Sequence, residues 1–185
     1  MGFNLPSITA EPSPGRSKSL FVGGDNRMRN SQKGFSLIEL LIVVAIILII
    51  AAIAIPNLLR ARISANEASA VSSLRTINTA CITYNSTYGQ YPAGLANLGP
   101  VGAGNTPTST SADLLDQVLG AAAAATTGKS GYTFTFATAN NNNTYTDLGD
   151  PIAVNQTGVR HFFTDQSGVI RANSSATATV TDSPI

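Results

Sequence analysis

Few side chains in this sequence can do chemistry, and they stand apart from one another. There is one cysteine, Cys81, and one histidine, His161. Nucleophilic catalysis needs a nucleophile beside a base and a group that orients the base, so no Ser/His/Asp or Cys/His set can be assembled. His161 has no companions at metal-ligand spacing and reads as a surface residue of a strand. Asp147, Asp150 and Asp165 could in principle gather around calcium, but no dense D-x-D-x-D-G loop holds them. Ala123-Ala124-Ala125-Thr126-Thr127-Gly128-Lys129-Ser130 meets a relaxed phosphate-loop pattern with alanine in place of the first glycine. A working loop of that kind follows a strand and opens a helix. Here a helical stretch comes first and the alternating run Gly131 to Phe136 follows, so nucleotide binding is set aside. The reading is of a protein that is not an enzyme, with no catalytic residue, no cofactor and no resident metal.

One carboxylate is out of place. Glu39 stands at the head of an apolar run in which no polar side chain appears from Leu40 to Ile55. As a helix that run spans about 24 Å, and Phe35 to Leu59 about 37 Å, against roughly 30 Å of bilayer hydrocarbon. The stretch is long enough to cross a membrane. Ser36 with Glu39 three residues on has capping-box spacing, so a local cap is one account of the carboxylate. A carboxylate at the edge of an uninterrupted apolar run is also costly in lipid and by default marks a partner. Cutting the chain between Gly34 and Phe35 would supply a counter-charge. A new α-amino group would then lie four residues from Glu39, and a neighbouring subunit would bring another.

The elements around this stretch agree with a membrane role. Residues 1–34 carry Arg16, Lys18, Arg27, Arg29 and Lys33 against Glu11 and Asp25, a net +3, while the remainder is net −2. The basic flank stays in the cytoplasm and the C-terminal part crosses. That part is slightly acidic and has no basic patch, so nothing in it suggests a specifically bound nucleic acid. Residues 1–27 lack apolar periodicity and hold turn formers, so they read as disordered. Met28 offers a second start, leaving the short basic leader Met28-Arg29-Asn30-Ser31-Gln32-Lys33-Gly34. A secretory signal is the competing account, with Ala52-Ile53-Ala54 fitting A-x-A. The run is longer than such signals, carries Glu39 and continues into a helical pattern.

Lys33-Gly34-Phe35-Ser36-Leu37-Ile38-Glu39-Leu40-Leu41-Ile42-Val43-Val44-Ala45-Ile46-Ile47, continuing through Pro56 and Asn57-Leu58-Leu59-Arg60-Ala61-Arg62, closely resembles the class III signal of type IV prepilins and type II secretion pseudopilins. The chain is most like a type IVa major pilin without the C-terminal disulfide, which a lone cysteine cannot form. The resemblance implies that a prepilin peptidase cleaves after Gly34 and methylates the amine of Phe35. It implies that the subunit waits in the inner membrane and is drawn by an assembly platform and its ATPase into a helical homopolymer. Glu39 would pair with the Phe35 amine of the adjacent subunit and set the axial register. Pro56 removes a backbone donor and clashes with the Ala52 carbonyl, so it kinks or interrupts the helix, or opens a second one.

Beyond Arg62 the pattern turns amphipathic. Ile63, Ala70, Val71, Leu74, Ile77, Cys81, Tyr84 and Tyr88 recur at three- and four-residue steps, with Arg62, Glu67, Ser72, Arg75 and Asn85 elsewhere. Cys81 on that stripe reads as a small buried hydrophobe, and Gly89 and Pro92 stop the helix. A short helix through Leu114, Leu115, Val118 and Leu119 is expected, capped within Thr110 to Asp113. Strands are expected at 131–136, from Tyr145 to Leu148 or onward to Val154, at 159–164 and at 169–171, with Asp165-Gln166-Ser167-Gly168 as a hairpin loop. Asn85, Asn142, Asn155 and Asn173 head N-x-S/T triplets, and the hydroxyl-rich tail after Asn173 is expected to be mobile.

The expected architecture is α+β: a pilin-like fold with a long N-terminal helix packed on a four-stranded antiparallel sheet. Its parts are a cleaved leader (1–34), the membrane and polymerisation half of the helix (35–59), the amphipathic half (60–88), a connecting loop with a short helix (89–130), and a β-meander with a flexible tail (131–185). The expected function is that of a pilus subunit serving adhesion, twitching motility or DNA uptake. A type II secretion pseudopilin and a membrane-tethered domain that never polymerises are the alternatives. The chain would sit in the inner membrane with its leader cytoplasmic, then in an extracellular pilus or a periplasmic pseudopilus.

Overall fold

A computed structural model of the chain describes residues 34–122 and 128–185. The expectations for residues 1–33, and the alanine-threonine part of the phosphate-loop-like stretch, fall outside the described residues.

The first element, α1, is a helix over Leu37–Tyr88. Two compact units divide within it, between Leu41 and Ile42. In the first unit the helix opens on one half of a capping box, the Ser36 N–H donating to Glu39 Oε2 at 2.9 Å. In the second unit the apolar stretch from Ile42 to Leu59 is exposed nearly throughout, and this helix is long and apolar enough to cross a membrane. Pro56 lies inside the helix, which runs through it. Of the outcomes foreseen for Pro56, an interruption and a second helix are therefore excluded, and the Ala52 carbonyl simply lacks its usual donor. The helix ends at Gly89, whose φ of +73° and N–H bond to the Asn85 carbonyl (2.8 Å) make a left-handed stop.

From Glu67 to Tyr84 the helix is two-faced. Ala70, Leu74, Ile77, Cys81 and Tyr84 are buried, whereas Ile63 and Tyr88 are only half-buried. The opposite face carries exposed hydroxyls that turn back on the helix. Thr76, Thr79, Thr83, Ser86 and Thr87 each donate to the carbonyl four residues earlier, at 2.9–3.1 Å.

The sheet has five antiparallel strands in sequential order: β1 Tyr132–Ala139, β2 Thr144–Pro151, β3 His161–Asp165, β4 Arg171–Asn173 and β5 Ser183–Pro184. The expected sheet had four. The fifth strand exists because the tail returns, pairing Arg171 with Pro184 and Ala172 with Ser183. Asp182 organises that return. Its carboxylate accepts from the Thr179 N–H and hydroxyl and from Asn173 Nδ2, and its carbonyl accepts from Arg171. The tail is thus bonded down and buries Ala178, contrary to the mobility expected from its composition.

The β1–β2 hairpin turns on Asn140, Asn141 and Asn142, all with φ between +54° and +60°. Asparagine is the side-chain-bearing residue best suited to that conformation, which accounts for the asparagine run. The β3–β4 hairpin falls at the expected Asp165–Gly168. Between helix and sheet, α2 is a single turn, Gln117–Gly120, capped by Asp116, whose Oδ1 accepts from the Leu119 N–H at 3.2 Å. The expected start within Thr110–Asp113 was too early, and Asp113 instead adopts a left-handed φ of +56°. The core between α1 and the sheet is built on Leu74, Ile77, Tyr132, Phe134, Tyr145 and Phe162.

Candidate functional site

Gly34 and Phe35 precede the helix and are exposed. A Cβ at Gly34 would meet nothing within 4 Å. The described fold therefore has no steric need of glycine there. Glu39 is exposed and spends one oxygen on its own helix terminus, so the capping account holds within a single chain. Its other oxygen can still accept from a partner. Pro56 is exposed on the same apolar helix.

Three polar groups on the helix–sheet side were not foreseen. Glu67, assigned from the sequence to the polar face, is buried. Its Oε1 accepts from the N–H groups of Val159 (3.0 Å) and Arg160 (3.1 Å), and its Oε2 pairs with Arg160 Nε (2.8 Å). Burial by itself would raise its pKa, but the Val159 N–H, the Arg160 side chain and the Arg160 N–H outweigh it and hold the carboxyl below its usual value. Asn66 adds a bond from Nδ2 to the Thr157 carbonyl at 2.8 Å. Together they fasten the β2–β3 connection to α1. Gly158 in that connection is required by packing, since a Cβ would overlap the Tyr132 hydroxyl.

Asn78 is the second. Its Nδ2 donates to Thr164 Oγ1 on β3, and its Oδ1 accepts from the Tyr145 hydroxyl on β2, both at 2.9 Å. Asp147 is the third. It shares the inward face of β2 with Tyr145 and Gly149, is fully buried, and neither of its oxygens has a hydrogen-bond partner. Burial lifts its pKa to about 8; the Leu148 N–H opposes the rise without reaching bonding geometry. Spacing alone could have found all three. Glu67 and Asn78 lie three and four residues from Ala70 and Leu74, and Asp147 alternates with Tyr145.

The remaining candidates are dispersed. Asp150 points to the opposite face of β2 and pairs with His161 Nδ1 at 2.6 Å, so His161 is half-buried and partnered, not a free surface residue. Asp165 is turned into its own hairpin, bonding Ser167. The three aspartates thus do not gather, and no metal-holding group of His, Cys, Asp or Glu occurs among the described residues. Cys81 is buried, and desolvation, with Asp147 nearby, drives its thiol pKa far up, as a packed hydrophobe requires.

The N-terminal stretch carries a likeness to known proteins. Residues 29–55 match the family described as the prokaryotic N-terminal methylation motif. Over 82 residues the chain is 44% identical to the type IV wide pilus major component PilA4 of Thermus thermophilus, covering 44% of this chain and 62% of that protein. Over 66 residues it is 41% identical to the type IV major pilin protein PilA of Myxococcus xanthus, covering 36% of this chain and 30% of that protein. The chain is similar to type IV pilins over these stretches. The matched stretches span less than two thirds of either relative. In this chain, then, Gly34 and Phe35 precede an exposed apolar helix that bears Glu39 and Pro56, and a sheet-bearing portion is tied to that helix by Glu67 and Asn78.

Proposed function

We propose that the chain is the structural subunit of a type IV pilus, made as a precursor and polymerised into a helical homopolymer on the cell surface. The observation that carries this reading is the methylation motif over residues 29–55, which sets Gly34, Phe35 and Glu39 at the head of an exposed apolar helix. In this account a prepilin peptidase cuts after Gly34 and methylates the Phe35 amine, which stays cationic. The helix then holds the subunit in the inner membrane, leader on the cytoplasmic side, until an assembly platform and its ATPase extract it. In the filament the second oxygen of Glu39 takes the Phe35 amine of the adjacent subunit, while Pro56 provides a point where the helix can stretch as subunits crowd. Adhesion, motility and DNA uptake are the uses open to such a fibre.

The test is to shear filaments from cells and determine the N-terminus of their main protein. A mature chain beginning at methylated Phe35 in long fibres is the expected result. A chain beginning elsewhere would refute the processing step. Absence of fibres together with lost protein export in a deletion strain would transfer the chain to a secretion pseudopilus.

A further inference from the structure

Asp147 is the one buried carboxylate in the described sheet that the assembly reading leaves without a task. Its side chain faces α1 from the middle of β2, wholly removed from solvent, with both oxygens unpartnered. An anion in that position would lack both water and a counter-charge, which is among the costliest arrangements a fold can hold. The surroundings offer no relief. Cys81 reaches it from α1 and Tyr145 flanks it on β2; Asp165 at the end of β3 and Tyr91 after the helix act on the same Tyr145 hydroxyl. Each is neutral or anionic. No cation pairs with Asp147 among the described residues, and its cross-strand neighbour, Thr164, accepts from Asn78 and makes no bond to Asp147.

Those same neighbours join the helix to the sheet. The Asn78 bonds to Thr164 and Tyr145 lie alongside Asp147, so a charge appearing there would be set directly against the seam. We propose that Asp147 is a protonation latch, in which the neutral acid keeps α1 seated on the sheet and loss of its proton unseats it. The direction follows from linkage. The folded carboxyl titrates near pH 8 and an exposed one near 3.8. Seating therefore binds a proton across that interval, weakens as pH rises through it and levels off above about 8. The subunit is tightest in mildly acidic surroundings and loosens toward alkaline ones.

Cys81 is the reporter, since it is the only thiol in the chain and lies under the seam. The full-length protein in detergent micelles is labelled with 4,4′-dithiodipyridine from pH 5 to 9, for wild type and Asp147→Asn. Taking the ratio of rates removes the thiol's own pH dependence. The ratio of wild type to variant, referred to its own value at pH 5, is expected to climb by up to tenfold per pH unit and to flatten above about 8. A ratio that stays constant, or a variant that labels faster throughout, overturns the latch. Should the variant not fold, infrared difference spectra of wild type with carboxyl-labelled aspartate decide the matter. A protonated carboxyl stretch at pH 6.5 that fades toward pH 9 is expected, and its absence at pH 6.5 refutes the proposal.

Discussion

Replacing Glu67 by alanine is the sharpest way to ask what holds the sheet to its helix. The carboxylate accepts two backbone N–H groups and one guanidinium N–H across a sequence separation of more than ninety residues. A hydrogen bond to a charged group is worth about 1.5–3 kcal/mol net, and a buried donor left without a partner costs about 1–3 kcal/mol. The ion pair adds little, because the Arg160 side chain is 43% exposed and solvent screens it. Losses at one carboxylate overlap, so Glu67→Ala should cost about 3 kcal/mol, mostly from the stranded Val159 and Arg160 N–H groups. Glu67→Gln keeps an oxygen for those donors and should cost about 1 kcal/mol. Arg160→Ala should also cost about 1 kcal/mol, including the loss of its cation–π contact with Phe162. Urea denaturation of the three variants at pH 7, in the same micelle, gives the order. If Arg160→Ala proved as damaging as Glu67→Ala, backbone capture would not be the source of the stability. Acid supplies a second check. The Glu67 carboxyl is held below its unfolded value, so its contribution is present above about pH 4.5 and lost as pH falls through the folded pKa. That loss should vanish in Glu67→Gln.

Asn78→Leu removes the link to both Thr164 and Tyr145, leaving a buried hydroxyl unpaired; a loss of about 2–3 kcal/mol in urea denaturation is expected. Combining it with Tyr145→Phe should cost less than the sum of the two, and strict additivity would show that the bond does not matter. Asp182→Ala should free the tail, seen as protease cleavage near Thr179 and Val180 with the sheet's amide protection unchanged. Because the Thr179 N–H lowers the Asp182 pKa first and foremost, acid below about pH 4 should loosen the wild-type tail in the same way. Glu39→Ala should leave cleavage after Gly34 intact, by mass spectrometry, while fibres become scarce in electron micrographs. Normal fibres would reduce Glu39 to its cap.

Local signals carried the architecture a long way, and their limits are physical. The helix, its glycine stop, the buried stripe through Cys81 and the Asp165–Gly168 hairpin depend on near neighbours, and each is where periodicity or turn chemistry places it. β5 is not local in that sense. Ser183-Pro184 has no strand pattern of its own and forms only because Asp182 and the Ile170 carbonyl receive the returning chain. Glu67 was misplaced because a charged residue on an apolar stripe counts against burial until its partners are known, and those partners lie at Val159 and Arg160. His161 reads as a surface residue in the sequence because its partner, Asp150, is found only once the β2–β3 register is set. Gly34, Phe35 and Glu39 stand out for the opposite reason. They fall in a short linear motif, which under the proposed processing an outside molecule reads before any fold matters.

The row of hydroxyls along α1 has a consequence for dehydration. A serine or threonine facing water normally loses a donor bond when something covers it, and the cover must return one. Thr76, Thr79, Thr83, Ser86 and Thr87 have already given their protons to their own helix. This face can dry against an apolar neighbour with no donor stranded, and it presents almost no charge that would hold water. Polar by composition, it behaves toward a close-packed surface much as a row of methyl groups would.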